Sequence, residues 1–318
     1  MSAGIKRKNA LKVRLAAPRG FCAGVERAIR TVEETLSRYG APVYVRHEIV
    51  HNRHVIDRLK VMGAVFIDDL DEAAPDRPVI FSAHGAPLSA HEEAKNRNLL
   101  SIDATCPLVS KVHTQVRRHA QRGRHIILIG HKNHQEVIGT MGQAADGEVT
   151  LVETPDDVAR LAPTTHKLAY VTQTTLSVDD TDEIIQALKD RFPGICGPAR
   201  EDICYATSNR QSAVKTIAPG SDLFVVIGST TSSNSVRLVE TAQGAGAKKA
   251  ILIDDANDFD MRLLDDVATL CLSAGASVPE PLVEGFLKRL AENRILEIET
   301  VEVAQEDITF KPPLRLAG

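Results

Sequence analysis

The chain has 318 residues, 43% hydrophobic and 25% charged, with a formal net charge of −4. That length allows about two domains and supplies ample apolar material for their cores. The slightly negative balance argues against nucleic-acid binding through bulk electrostatics, and no apolar run approaches the roughly 20 residues that cross a bilayer.

The amino-terminal MSAGIKRKNALKVRL is positively charged but lacks the apolar stretch and small-residue cleavage site of a secretion signal, so a cytoplasmic location is expected. A first strand in VRLAAPRGF ends at Cys22. A helix from Ala23 to about Arg38 follows, then strand PVYVRH, His51 and Asn52, helix RHVIDRLKVMG, strand AVFID, an acidic connector, strand PVIFSA and His84. The pattern restarts with LLSIDAT and Cys106: helix LVSKVHTQVRRHAQRG, strand HIILIG, His131 and His134, helix QEVIGTMGQA, strand VTLVE, acidic TPDDVARLA, strand KLAYVTQ and Thr174. A third copy opens with AREDI and Cys204: helix TSNRQSAVKTIA, strand DLFVVIGS, Ser232, Ser233 and Asn234, helix SVRLVETAQGAG, strand KAILID, another acidic connector, strand TLCLSAGA and Ser277.

The polar positions keep register. Cys22 to His51 is 29 residues, while Cys106 to His134 and Cys204 to Ser232 are each 28. His84, Thr174 and Ser277 lie 62, 68 and 73 residues after their cysteines. Strands alternating with helices predict three similar α/β units with parallel sheets, over 12–98, 99–195 and 196–290, with the tail 291–318 completing the first. Ligands of such sheets bind beyond the carboxyl ends of the strands, where these polar residues fall.

Five cysteines is an odd number at low density, which in a reducing compartment favours metal binding or catalysis over disulfides. Cys271, inside an apolar run, reads as a core residue; Cys196 lies in a loop and receives no role. Cys22, Cys106 and Cys204 share one context, and three thiolates from repeats packed about a common centre suit an iron–sulfur cluster with one iron free of protein sulfur. Zinc is the competing metal, although its ligands usually come in local pairs that are absent here. In that alternative, a zinc-dependent hydrolase of a phosphorylated small molecule would use His134 and Glu136.

His51, His84, His134, Thr174, Ser232, Ser233, Asn234 and Ser277 offer many donors for a diphosphate, several at helix starts. The plain alternative for TTSSNS is a serine-rich helix cap. No GxxxxGK[ST] loop occurs, and GAGAKKA lacks the dinucleotide order. In GHKNHQEVIGT, Glu136 could deliver a proton, or could be an ordinary first-turn glutamate. A non-catalytic diphosphate-binding protein therefore also stays open.

The strings PRGFCAGVERAI, VRHEIVHNRHV, FSAHG, DATCPLV, GHKNHQEVIGTMGQ, VTQTTLSVDDT, DICYATSNRQ, SSNS and SAGAS, in this order, resemble the LytB family of 4-hydroxy-3-methylbut-2-enyl diphosphate reductases from about Val13 to Ser277. The resemblance implies a pseudo-threefold trefoil around one [4Fe–4S] cluster per chain, held by Cys22, Cys106 and Cys204. It places the diphosphate on His51, His84, His134, Ser232, Ser233, Asn234 and Ser277. It makes Glu136 the proton source, acting with His134, and Thr174 a holder of the substrate hydroxyl. Reductive loss of that hydroxyl would yield isopentenyl and dimethylallyl diphosphate. Electrons would come from a ferredoxin or flavodoxin served by an NADPH-dependent reductase, and neither nucleic acid nor a membrane is an expected partner. Gln135 stands where the family often has proline, which predicts a slightly less rigid Glu136 loop. The acidic tail ETVEVAQEDITFKPP is expected to form strands returning to the first unit.

Overall fold

Short aliphatic and β-branched runs bounded by Gly, Pro and Asp become strands, and the amphipathic stretches between them become helices. The structure, a computed structural model, describes residues 9–162 and 167–313. In chain order the elements are β1 (Ala10–Ala17), α1 (Ala23–Tyr39), β2 (Val43–Arg46), α2 (Arg53–Val61), β3 (Ala64–Ile67), β4 (Pro78–Phe81), α3 (Leu88–Asn96) and β5 (Leu100–Asp103). Then come α4 (Pro107–Gln121), β6 (His125–Ile129), α5 (Gln135–Met141), β7 (Val149–Val152), α6 (Pro155–Arg160), β8 (Leu168–Thr172) and α7 (Val178–Arg191). The last are α8 (Tyr205–Ile217), β9 (Leu223–Ile227), α9 (Ser233–Gly244), β10 (Ala250–Ile253), β11 (Thr269–Ala274), α10 (Glu280–Asn293) and β12 (Ile295–Glu302).

The strands form three sheets, in the orders β10-β9-β11-β1-β12, β3-β2-β4-β5 and β7-β6-β8. Every pair is parallel, as expected for an α/β fold. The chain divides into two compact units: residues through Cys22 with Ala206–Asp307, holding the five-stranded sheet, and Ala23–Tyr205 with the segment from Ile308, holding the other two. In the first unit β9 is buried on both faces. Leu223, Val225 and Ile227 pack with Leu272 and Phe286 on one side, while Phe224 and Val226 pack with Val214 and Leu238 on the other. In the second unit β6 does the same, with Ile127 and Ile129 facing one core and Ile126 and Leu128 the other. Parallel strands covered by helices on both faces read as continuous apolar runs for this reason.

The sheets divide one strand away from the expected boundaries. The strands ahead of two of the cysteines join the sheet of another copy: β5, before Cys106, pairs with β4, and β1, before Cys22, pairs with β11 of the third copy. Ahead of Cys204 no strand forms; a single bridge between Cys196 and Ala169 takes its place. The charged AREDI lacks the β-branched run a strand needs. Three helices absent from the sequence reading explain the shift. α3, α7 and α10 occupy equivalent places, each carrying the chain back to its own sheet as a parallel crossover must. α7 and α10 carried a readable signal, burying Thr181, Ile184 and Leu188, and Val283, Phe286 and Leu290, at helical spacing. α3 buries only Ala90 and Ala94 and gave little. The acidic TPDDVARLA, expected as a connector, includes α6, with a Thr154–Asp157 capping box and Pro155 at its start. The tail contributes one strand, β12, parallel to β1 along its whole length.

Candidate active site

Cys22, Cys106 and Cys204 each immediately precede a helix, α1, α4 and α8. Each is seated by its own N–H on a carbonyl beyond a strand end: Cys22 on Ala276 (3.2 Å), Cys106 on Ala83 (3.0 Å) and Cys204 on Thr174 (3.0 Å). A cation in the following helix then holds the loop ahead of another cysteine. Arg27, five residues after Cys22, donates to the Ala104 and Thr105 carbonyls (3.2 and 3.0 Å) before Cys106. Lys111, five after Cys106, donates to the Arg200 and Glu201 carbonyls (3.1 and 2.7 Å) before Cys204. Arg210, six after Cys204, donates to the Gly20 and Phe21 carbonyls (2.7 and 3.2 Å) before Cys22. Arg210 is fully buried and ion-paired with Glu306 at 3.1 Å. Sequence reasoning missed all three cations, although the matching offset from each cysteine was there to read.

None of the five cysteines is in a disulfide. Cys22, Cys106 and Cys204 are half-buried, whereas Cys271 is buried, its thiol bonded to the Ile217 carbonyl and pushed up to about 11 by burial. A core role for Cys271 follows. Each of the three half-buried thiols stands at a helix start whose dipole favours an anion, and cysteine thiolates are the donors that iron–sulfur clusters take. Among the described residues no group of three or more His, Cys, Asp or Glu is placed to hold a single metal ion.

In the second unit, His51, His84 and His134 come together. The His51 and His84 rings stack with centroids 4.2 Å apart, and His134 meets them edge-on at 5.6 and 5.8 Å. α5 seats against the 85–87 loop so closely that a Cβ on Gly142 would lie 2.2 Å from the Pro87 Cβ. The Gly142 carbonyl accepts from Leu88 N–H (3.0 Å), and Gln143 donates to the Ala86 carbonyl (2.9 Å). This contact places His134, which caps α5, beside His84. Gly85, next to His84 in the chain, has φ +82°, and a Cβ there would meet the His113 ring at 2.5 Å. Burial lowers His84 well below the usual histidine range, with the charges of His51 and His134 adding to the effect. Burial also lowers His134 to about 4. Both rings are therefore neutral near pH 7. Because His134 Nδ1 accepts the Glu136 N–H (3.1 Å), its proton sits on Nε2, leaving that nitrogen a donor.

Glu136 is buried. Its Oε1 accepts the Thr174 N–H (2.6 Å) and its Oε2 the Thr174 hydroxyl (2.9 Å). Burial raises its pKa to about 7 against the opposing pull of those two bonds. A carboxyl poised near neutrality suits a proton donor. The same Thr174 accepts the Cys204 N–H through its carbonyl, so one residue joins the carboxyl group to a cysteine. His131 turns elsewhere: its N–H donates to the buried Gln173 side chain (3.0 Å) and its ring faces Glu153 (3.9 Å).

In the first unit, Ser232 caps α9, its hydroxyl accepting the Ser235 N–H at 3.4 Å. Asn234 is buried with both amide atoms lacking a partner among the described residues, which is costly unless a ligand supplies one. Ser277 is buried one residue after Ala276, the acceptor for Cys22.

The sequence model of the family described as LytB protein matches residues 13–291. The chain belongs to the LytB family. Two relatives named 4-hydroxy-3-methylbut-2-enyl diphosphate reductase are each 58% identical to it. That of Hyphomonas neptunium aligns over 98% of this chain and 99% of its own, and that of Phenylobacterium zucineum over 97% and 98%. The solved structure of E-1-hydroxy-2-methyl-but-2-enyl-4-diphosphate reductase from Plasmodium falciparum is similar with a TM-score of 0.91 and 42% identity, over 98% of this chain and 97% of that one. A solved (E)-4-hydroxy-3-methyl-but-2-enyl diphosphate reductase, described as the terminal enzyme of the non-mevalonate pathway, matches at TM-score 0.64 and 32% identity, over 89% and 99%. Against these LytB relatives the zinc-hydrolase alternative finds no support.

Proposed function

We propose that the chain reduces (E)-4-hydroxy-3-methylbut-2-enyl diphosphate to isopentenyl and dimethylallyl diphosphate, the last step of the methylerythritol phosphate route to isoprenoids. The reaction adds two electrons and two protons to the alcohol and releases water. Cys22, Cys106 and Cys204 hold one [4Fe–4S] cluster, which supplies the electrons when bound. His51, His84, His134, Ser232, Ser233, Asn234 and Ser277 bind the diphosphate; Asn234, buried without a partner among the described residues, would gain one. His134 donates from Nε2, and the neutral histidines gain charge as the anion arrives. Electrons come from a ferredoxin or flavodoxin with its NADPH-dependent reductase, in the cytoplasm; among the described residues no helix is long and apolar enough to cross a membrane.

The observation that carries this reading is the Glu136–Thr174–Cys204 link. When Glu136 is protonated, its O–H points to the Thr174 oxygen and frees the threonine hydrogen for the departing hydroxyl. The pair thereby holds the proton next to the bond that breaks. Anaerobic iron and sulfide analysis, alongside turnover with reduced viologen, tests the proposal. About four irons and four sulfides per chain with substrate-dependent viologen oxidation are expected. Protein without iron that binds a diphosphate yet turns nothing over would mark a non-catalytic binder.

A further inference from the structure

The second unit carries a concavity of about 650 Å³ that none of the residues assigned to diphosphate binding or proton delivery lines. Its walls are α4, from Ser110 onward, and the 196–200 loop with Cys196. Lys111, Arg118, Arg122, Arg124 and Arg200 line it, and among the described residues no Asp or Glu does. We propose that this basic groove docks an acidic one-electron carrier protein that reduces the chain, an inference resting on the reductase reading above.

Residues 107–124 contain five Lys or Arg and no Asp or Glu, in a chain whose acids outnumber its bases by 42 to 38. Arg118, Arg122 and Arg200 are exposed. The nearby Asp202 is not a counter-charge for them: its side chain is buried, paired with Lys111 at 3.1 Å and accepting from Gln115 at 2.7 Å. A helix dipole rewards cations in the last turn of α4, and Asp202 with two loop carbonyls accounts for Lys111, but neither accounts for Arg200 on a separate loop.

Position decides the occupant. Lys111 is five residues past Cys106, about 7 Å along the helix axis, and Arg200 is four residues before Cys204. Two segments meeting at the groove therefore lead directly to two of the three proposed cluster ligands. Concentrated positive charge at that place steers an acidic protein and orients it for transfer. A small anion would be bound by one or two of these cations and would have no need of the full length of α4.

The test uses the holoenzyme and the triple variant Arg118→Glu, Arg122→Glu, Arg200→Glu, with an acidic ferredoxin as probe. Calorimetric titration should show ferredoxin binding to the wild type that weakens as salt screens the groove. The variant should lose about tenfold or more in ferredoxin affinity, with KM for reduced ferredoxin rising correspondingly, while turnover with reduced viologen stays within about twofold. The corresponding Arg→Gln triple variant should shift the same way by less. Unchanged ferredoxin binding in the glutamate variant overturns the proposal, as does inorganic triphosphate filling the groove without displacing ferredoxin. If wild-type protein binds ferredoxin in this charge-dependent way but lacks iron and viologen turnover, the reductase reading fails and the docking surface stands.

Discussion

Glu136 grips Thr174 at two points, taking the backbone N–H on one carboxylate oxygen and the hydroxyl on the other. Replacing Glu136 by Gln keeps the shape and removes the proton. Diphosphate affinity should stay near wild type while kcat falls by about a hundredfold or more, within the range of general-acid effects. Equal losses in binding and turnover would assign Glu136 to substrate holding.

The same carboxyl sets a pH dependence. Turnover should fall as pH rises through about 7, where Glu136 loses its proton. Thr174→Val removes a bond to the charged form, so the falling limb should move to higher pH. Stability follows the same sign. The unfolded glutamate releases its proton near 4.5, the folded one near 7, so the folded state binds more protons in between and stability declines as pH rises through that window. Glu136→Gln lacks this loss, and its melting temperature relative to wild type should rise across that interval.

The histidines act in the opposite sense. His134 and His113 titrate near 4 in the folded chain against 6.5 unfolded, so the unfolded state binds more protons between those values. Stability is present above pH 6.5 and is lost as pH falls toward 4. A diphosphate beside His84 and His134 favours their charged forms, so binding of pyrophosphate near pH 6 should take up protons. Calorimetry in two buffers of different ionisation enthalpy reads this directly, and buffer-independent heats would place the anion elsewhere.

Cys22→Ser, Cys106→Ser and Cys204→Ser should each deplete cluster iron, while Cys196→Ser and Cys271→Ser retain it. Full iron in the Cys106→Ser protein would contradict its assignment as a ligand.

Arg210→Met removes the cation from Glu306, which keeps the Asn209 amide at 3.0 Å, and leaves the Gly20 and Phe21 carbonyls without that donor. Breaking a fully buried pair from one side costs about 3–5 kcal/mol; with Glu306 part-exposed and still bonded to Asn209 the loss should fall below that range, which a denaturant titration would resolve. Arg210→Lys restores the charge but not the planar fork and should recover part of the loss.

The sequence alone determined the three copies of cysteine, helix, strand and polar cluster, because apolar periodicity and the spacing of strand-end residues are local properties of the chain. It also offered His51, His84, His134, Thr174 and Ser277 as site candidates, since all follow recognisable strands or caps. Only the tertiary structure decided which sheet each strand joins: pairing depends on crossover helices such as α3, whose alanine-lined face left little periodic trace. Only there do Arg27, Lys111 and Arg210 appear as holders of the cysteine loops, since a buried guanidinium and an exposed one are spelled alike. The poise of Glu136 near 7 and the neutrality of His84 are likewise tertiary facts, because desolvation is a property of what surrounds a group rather than of its place in the chain.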